Sequence, residues 1–324
     1  MPIAPRIFAT ALACIALALP CAAQNYPEKP IRFICPYPPG GTTDFLTRAI
    51  GQKLSEQVGQ SVVVENRAGA GGNVGAEVAA KAAPDGYTIL MAPISPMAIN
   101  VSLYGKKLKF DPERDFIPIV LVAKSPLVIT VHPSVPAKTL KALIALARAR
   151  PGKMTYGSSG SGSSNHLTGE LFKALAGIDI VHVPYKGGAP AAIALMSGET
   201  DMAILQIPTL LPHYRSGRVR PIAISGTQRS PVIPDVPYAG ETGFKGLEST
   251  SWYVIVAPGK TPRPIVDKLH ATLGKILDMP EIRDRLTAEG AILENMAPDE
   301  LKSFIHSEIG KWAQAVKFSG AKVD

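Results

Sequence analysis

From residue 31 onward, short apolar runs alternate with amphipathic segments, and this alternation restricts the chain to one fold class. Ile31-Arg32-Phe33-Ile34-Cys35 reads as a strand. A turn from Pro36 to Asp44 leads into a helix whose apolar positions are Phe45, Leu46, Ala49, Ile50, Leu54 and Val58. Ser61 to Glu65 reads as the next strand, about Asn73 to Ala83 as a helix, and Tyr87 to Met91 as a third strand. Continuous apolar strands separated by helices form a parallel sheet covered on both faces. The fold class is therefore α/β.

The β-type stretch from Ile117 to Val131 is long enough to leave one domain and enter another. A second series follows it: helix Leu140 to Arg150, strand Met154 to Tyr156, helix Asn165 to Ala176, strand Ile180 to Val183, a helix near Pro190 to Ser197 and strand Asp201 to Leu205. Val219 to Ser225 reads as a return crossing. Residues 24–124 and 226–324 would then form one domain, with a second, 125–225, inserted in it. A chain of 324 residues can bury two such cores. Two crossings between domains make a hinge.

The N-terminus reads as a targeting segment, residues 1–23. Arg6 precedes an apolar run from Ile7 to Leu19, and Cys21-Ala22-Ala23 supplies small residues at the cleavage positions. The run is shorter than the roughly 20 residues that span a bilayer. Cleavage removes Cys14 and Cys21 and leaves Cys35, so no internal disulfide can form. Export without disulfides points to a periplasm. With Arg6 removed, 33 basic side chains face 26 acidic ones, a balance that suits anionic ligands. Aromatic residues make up only 6% and no basic helix is present, which argues against nucleic acid.

Two strand–loop–helix turns carry the candidate chemistry. The first holds Tyr37, Gly40, Gly41, Thr42, Thr43 and Asp44; the second holds Ser158, Ser159, Gly160, Gly162, Ser163 and His166. Both set glycines and hydroxyls at the start of a helix, where backbone N–H groups lack intrahelical partners and the dipole is positive. Such a turn binds a carboxylate or phosphate. The same residue types are also ordinary helix caps. Further contacts are expected from loops at the carboxyl ends of strands: Ser95, Tyr185, Lys186, Gly187, Gln206 and also Asp201, which would suit a ligand amine or amide or else serve as a capping or turn carboxylate. Gly69-Ala70-Gly71-Gly72-Asn73-Val74 has valine where a dinucleotide fingerprint needs its third glycine, and no P-loop occurs. The histidines lack metal-ligand spacing, so no cofactor and no metal are expected. Ser159, His166 and Asp201 could be drawn as a hydrolytic triad, although nothing in their spacing demands it.

The same segments carry a resemblance. Tyr26-Pro27-Glu28-Lys29-Pro30, Pro39-Gly40-Gly41-Thr42-Thr43-Asp44 with Arg48, and Val64-Glu65-Asn66-Arg67-Ala68-Gly69 run in order. Pro84-Asp85-Gly86-Tyr87, Tyr156-Gly157-Ser158-Ser159-Gly160, Val183-Pro184-Tyr185-Lys186-Gly187-Gly188 and Pro234-Asp235-Val236-Pro237 follow. Together they resemble the Bug-type receptors, the extracytoplasmic binding proteins of tripartite tricarboxylate transporters. The resemblance implies a type II periplasmic-binding fold that closes like a Venus flytrap. It also implies a small carboxylate ligand and partner membrane subunits; the leading reading is a monomeric binding receptor that makes and breaks no bond. Tyr37-Pro38-Pro39 departs from the usual Phe-x-Pro-Gly-Gly turn. A receptor read by a sensor kinase is the alternative, and a serine hydrolase a further one.

Overall fold

The computed structural model describes residues 26–294 and 296–323; the segment read as an export signal lies outside them. Among the described residues no helix is long and apolar enough to cross a membrane. Among the described residues nine strands form one sheet, eight along a single path and the ninth beside it.

The first lobe starts with β1 (Ile31–Cys35), α1 (Thr42–Val58), β2 (Val62–Asn66), α2 (Asn73–Ala80), β3 (Thr88–Pro93) and the short α3 (Asn100–Tyr104). β1 lies parallel between β2 and β3, as the apolar alternation requires. The chain then enters β4 (Phe116–Val131), sixteen residues that belong to both lobes. Its first part, through Pro126, pairs antiparallel with β9 (Thr250–Pro258), and its last five residues pair with β7 and β8. β4 is thus the crossing that its length predicts.

The second lobe holds α4 (Leu140–Ala149), β5 (Thr155–Ser158), α5 (Ser164–Ala176), β6 (Val181–Pro184), α6 (Gly188–Met196), β7 (Met202–Gln206), α7 (Ile207–Arg215) and β8 (Arg220–Ile224). The segment expected to cross back is β8, and it stays in this lobe against the end of β4. Residues 226–249 stay there too. Ala239 and Leu247 join the core around Leu127 and Phe172, and Val236 packs with Val128. The return therefore falls at β9, not at 226. A strand's apolar pattern shows that it is buried but not in which sheet.

The first lobe closes with α8 (Arg263–Asp278), α9 (Pro280–Ala288) and α10 (Pro298–Ser319). α1 and α8 cover one face of its sheet through Leu46, Ile50, Leu269 and Leu273. α2 and α10 cover the other through Ala76, Leu301 and Trp312. Leu167, on α5 of the second lobe, packs into this latter cluster. There the Trp252 and Trp312 indoles both donate to one oxygen of the buried Glu308, at 2.8 and 3.1 Å.

Candidate functional site

The carboxyl ends of β1 and β3 meet those of β5 and β7 across a cleft floored by β9. The lobes touch across it. Thr42 and Thr209 share a hydroxyl–hydroxyl hydrogen bond of 3.0 Å, and the Ser164 N–H donates to Ser95 Oγ at 3.1 Å. The cavity they enclose is about 20 Å³, room for one or two waters. That is too small for a molecule of four or more carbons.

Four helices present their first turns to this cavity. α1 does so with Thr42 and Thr43, α5 with Ser164 and Asn165, α6 with Gly188 and α7 with Thr209. Their positive dipole ends attract an anion without any formal charge. Among the described residues no charged side chain lines the cavity; the remaining wall is Tyr37, Ser95, Ser159, Gln206, Ser251 and Tyr253 with Pro93 and Gly41.

The two glycine-rich turns are held by their own side chains. Asp44 accepts from the Gly40 N–H at 3.1 Å, from Arg48 Nε at 3.0 Å and from Asn66 Nδ2 at 2.8 Å. Burial alone would raise the Asp44 pKa, but these donors outweigh it and hold the carboxyl below the usual range. Asp44 therefore shapes the first turn and is not available to a ligand. In the second turn, Ser158 is fully buried; its Oγ receives the Gly160 N–H at 3.1 Å and lies 2.7 Å from His182 Nε2. His182 stacks on His166, with ring centroids 4.2 Å apart. His166 thus supports the loop from behind, where its Nδ1 accepts from the Gly162 N–H at 3.3 Å. Ser163 caps α5 by accepting from the His166 N–H.

Burial, followed by the nearby His166 and Lys173, pushes His182 down to about 3. A histidine whose folded pKa is depressed gives up stability as pH falls, because below about 6.5 the unfolded chain takes up a proton that the folded chain refuses. For this group the loss from pH 7.5 to 5 is about 2 kcal/mol. Urea unfolding of wild type and His182→Gln across that range checks it. The wild-type curve is expected to lose about 2 kcal/mol more than the variant.

Of the candidate contacts, Tyr37, Gly41, Thr42, Thr43, Ser95, Ser159 and Gln206 line the cavity. Gly160, Tyr185 and Lys186 line an outer cavity of about 570 Å³, which adjoins the inner one at Tyr37 and Ser159. Gly40, Gly162 and Gly187 sit at the lobe contact: a side chain on them would meet Ala189, Asn100 and Pro38 respectively. Asp201 lies elsewhere. It precedes β7, at the end away from the cleft, and its carboxylate accepts from Thr155 N–H at 2.8 Å and Thr155 Oγ1 at 3.1 Å. The amine-binding role expected of it is corrected to a strand-end clamp. Asp201→Ala should lower stability by about 1–2 kcal/mol and change ligand affinity less than twofold, read by urea unfolding and calorimetry.

The triad drawn from Ser159, His166 and Asp201 is not assembled. Ser159 Oγ donates to Asn165 Oδ1, while Asp201 bonds Thr155. Sequence reading placed Gly188 in a candidate loop, left Ser164 and Asn165 without a contact role and missed Thr209, Ser251 and Tyr253. Asn165 and Ser164 open α5 directly after the serine loop, and that position was the available signal. Thr209, Ser251 and Tyr253 carry no local marker.

The family model described as tripartite tricarboxylate transporter family receptor matches residues 46–320. The BugT protein of Bordetella pertussis is 37% identical over 313 residues, 96% of each chain. A Rhodopseudomonas palustris protein solved with adipate is 35% identical with a TM-score of 0.89, over 92% of this chain and 100% of that one. MatC of the same organism, solved with bound malate, is 33% identical with a TM-score of 0.86, over 90% and 100%.

Proposed function

Because the chain belongs to the tripartite tricarboxylate transporter receptor family, with its two-domain periplasmic-binding fold, we propose that it captures a small carboxylate between its lobes and delivers it to a membrane transporter. The observation that carries this reading is the inner cavity. Four helix N-termini and a set of hydroxyls and amides converge on it with no charged side chain among them. Such a site stabilises a carboxylate through oriented dipoles and N–H donors. It also releases the ligand when the lobes part, since each lobe supplies only some of the donors. Relatives solved with adipate and malate support an acid as ligand. β4 and β9 are the hinge, and the outer cavity with Lys186 is the entry. No bond is made or broken, and the processed protein works as a periplasmic monomer.

The test is a thermal-shift series on the chain from residue 24 with succinate, malate, citrate, adipate, benzoate-type acids and their amides. At a hundred times its dissociation constant, a ligand adds about 2.7 kcal/mol. One acid with a saturable rise, and no rise with its amide, is the expected result. A flat series after unfolding and refolding, which strips any retained ligand, would remove the carboxylate reading.

A further inference from the structure

Resting on the lobe closure proposed above, we infer that the chain carries a second ligand site, on the far side of its hinge. The site takes an amphipathic monoanion, an apolar body with one acidic head, and its occupant favours the closed cleft.

The site is a cavity of about 590 Å³, inside the roughly 300–1,000 Å³ range of small-molecule pockets. It shares no lining residue with the cleft. Ser251 and Tyr253 of β9 face the cleft, whereas Thr250 lines this cavity, because successive strand residues point to opposite sides. Thr250 pairs with Pro126 of β4, so the floor is the pair of strands that joins the lobes. One wall is second-lobe chain from Gly226 to Pro231; the other is first-lobe chain from Arg283 on α9 to Leu293. At the edge Gly290 abuts the second lobe: an added Cβ would lie 2.7 Å from Ile207 Cγ2 and 3.0 Å from Val232 Cγ2.

The interior is mainly apolar, with Pro126, Pro231, Ala288, Ile292 and Leu293 in its lining. The Ile292 backbone exchanges two 2.8 Å hydrogen bonds with Lys124 of β4, which fixes its place, yet its side chain is 40% exposed. Apolar surface held open in this way gains by being covered. Arg229 in the lining is held by the Glu241 carboxylate and the Pro234 carbonyl. Arg283 is not: among the described residues its guanidinium makes no hydrogen bond, and Asp278 stands 3.9 Å away. A guanidinium with unfilled donors binds a carboxylate or sulfonate. Asp284, on the same rim, disfavours a second negative charge.

A molecule here touches both lobes in the arrangement in which Thr42 meets Thr209. Parting the lobes displaces one wall against the other and removes part of that contact. The occupant therefore stabilises the closed form, and so does a cleft ligand. Each raises the other's affinity by the same factor.

Decanoate is the probe, titrated by calorimetry into the protein from residue 24, with decanol as the uncharged control. Arg283→Gln and Ile292→Asp change exposed side chains, and their melting temperatures confirm the fold. Each is expected to bind decanoate about tenfold more weakly than wild type or worse, as is decanol to wild type. Saturating decanoate is expected to tighten binding of the acid found by thermal shift about fivefold or more. In both variants that gain is lost, while binding of the acid alone is unchanged. No decanoate binding, or equal binding in wild type and both variants, would overturn the site. Decanoate that leaves the acid's affinity unchanged would overturn the coupling, and decanoate that weakens it would place the probe in the cleft and overturn both. If no acid fills the cleft, the capture reading fails, and decanoate binding to wild type and variants still decides the hinge site.

Discussion

Gly71→Ala is expected to weaken ligand binding by about 10- to 100-fold, beyond the roughly 1 kcal/mol of stability that its left-handed backbone costs in the open and closed forms alike. Gly71 lies in the turn between β2 and α2, and a Cβ there would sit 2.8 Å from the Ser161 carbonyl oxygen and 2.9 Å from the Gly162 carbonyl carbon. Those atoms are backbone of the opposite lobe, so no side-chain rotation relieves the clash. Overpacking of this kind costs about 1–3 kcal/mol. It falls on the closed arrangement alone, because parted lobes lack the contact. A penalty on the binding-competent state reduces apparent affinity by the same factor. Gly71 also has φ +63, where a side chain is strained whatever the space. Gly59→Ala separates the two effects: its φ is +68 and nothing lies within 4 Å of its added Cβ. Titration of both variants with the acid found by thermal shift should show weak binding for Gly71→Ala and wild-type binding for Gly59→Ala. Equal affinity in both would mean that the lobes do not need this contact to hold ligand.

The largest expected loss of stability comes from Trp252→Ala, about 4 kcal/mol, or roughly a 10 °C drop in melting temperature. The side chain is 1% exposed within the cluster under α10. Removing it leaves a cavity and takes one of the two indole donors from the buried Glu308 carboxylate. Trp252→Phe keeps most of the volume and is expected to cost about half as much, chiefly for the lost hydrogen bond. Calorimetric melting of the three proteins checks the order. A Phe variant as damaged as the Ala variant would show that the hydrogen bond, not the volume, matters most.

Much of this architecture was legible because it depends on short-range pattern. The apolar periods of Ile31–Cys35 and Thr88–Pro93 fall on strands, and the length of the Phe116–Val131 run marks a crossing. The two glycine- and hydroxyl-rich turns announce helix starts, and both reach the cleft. What failed depended on long-range pairing. Arg220–Ile224 has the same apolar character in either lobe, and only its pairing with the end of β4 assigns it. Asp201 was drawn into the site because it adjoins a strand whose other end, Gln206, does reach the cleft. A strand's two ends lie about 3.3 Å per residue apart, so neighbours in sequence part company across five residues. Thr209 enters from a helix, and Ser251 and Tyr253 from a strand that returns long after the serine loop. Their residue types are common, and only the closed topology gathers them.

The paired tryptophans have an optical consequence. The chain has two tryptophans, and both indole N–H groups end on the same carboxylate oxygen. Its ultraviolet emission is therefore one signal from one place. That place is where Leu167, carried on the helix that follows the serine loop, packs into the first lobe's cluster. If the lobes part as the proposed capture requires, Leu167 leaves or shifts within the cluster it shares with the indoles, and the polarity around them is expected to change. The molecule thus carries its own unlabelled fluorophore for the opening and closing of the cleft, and a stopped-flow trace of native emission would follow capture in real time.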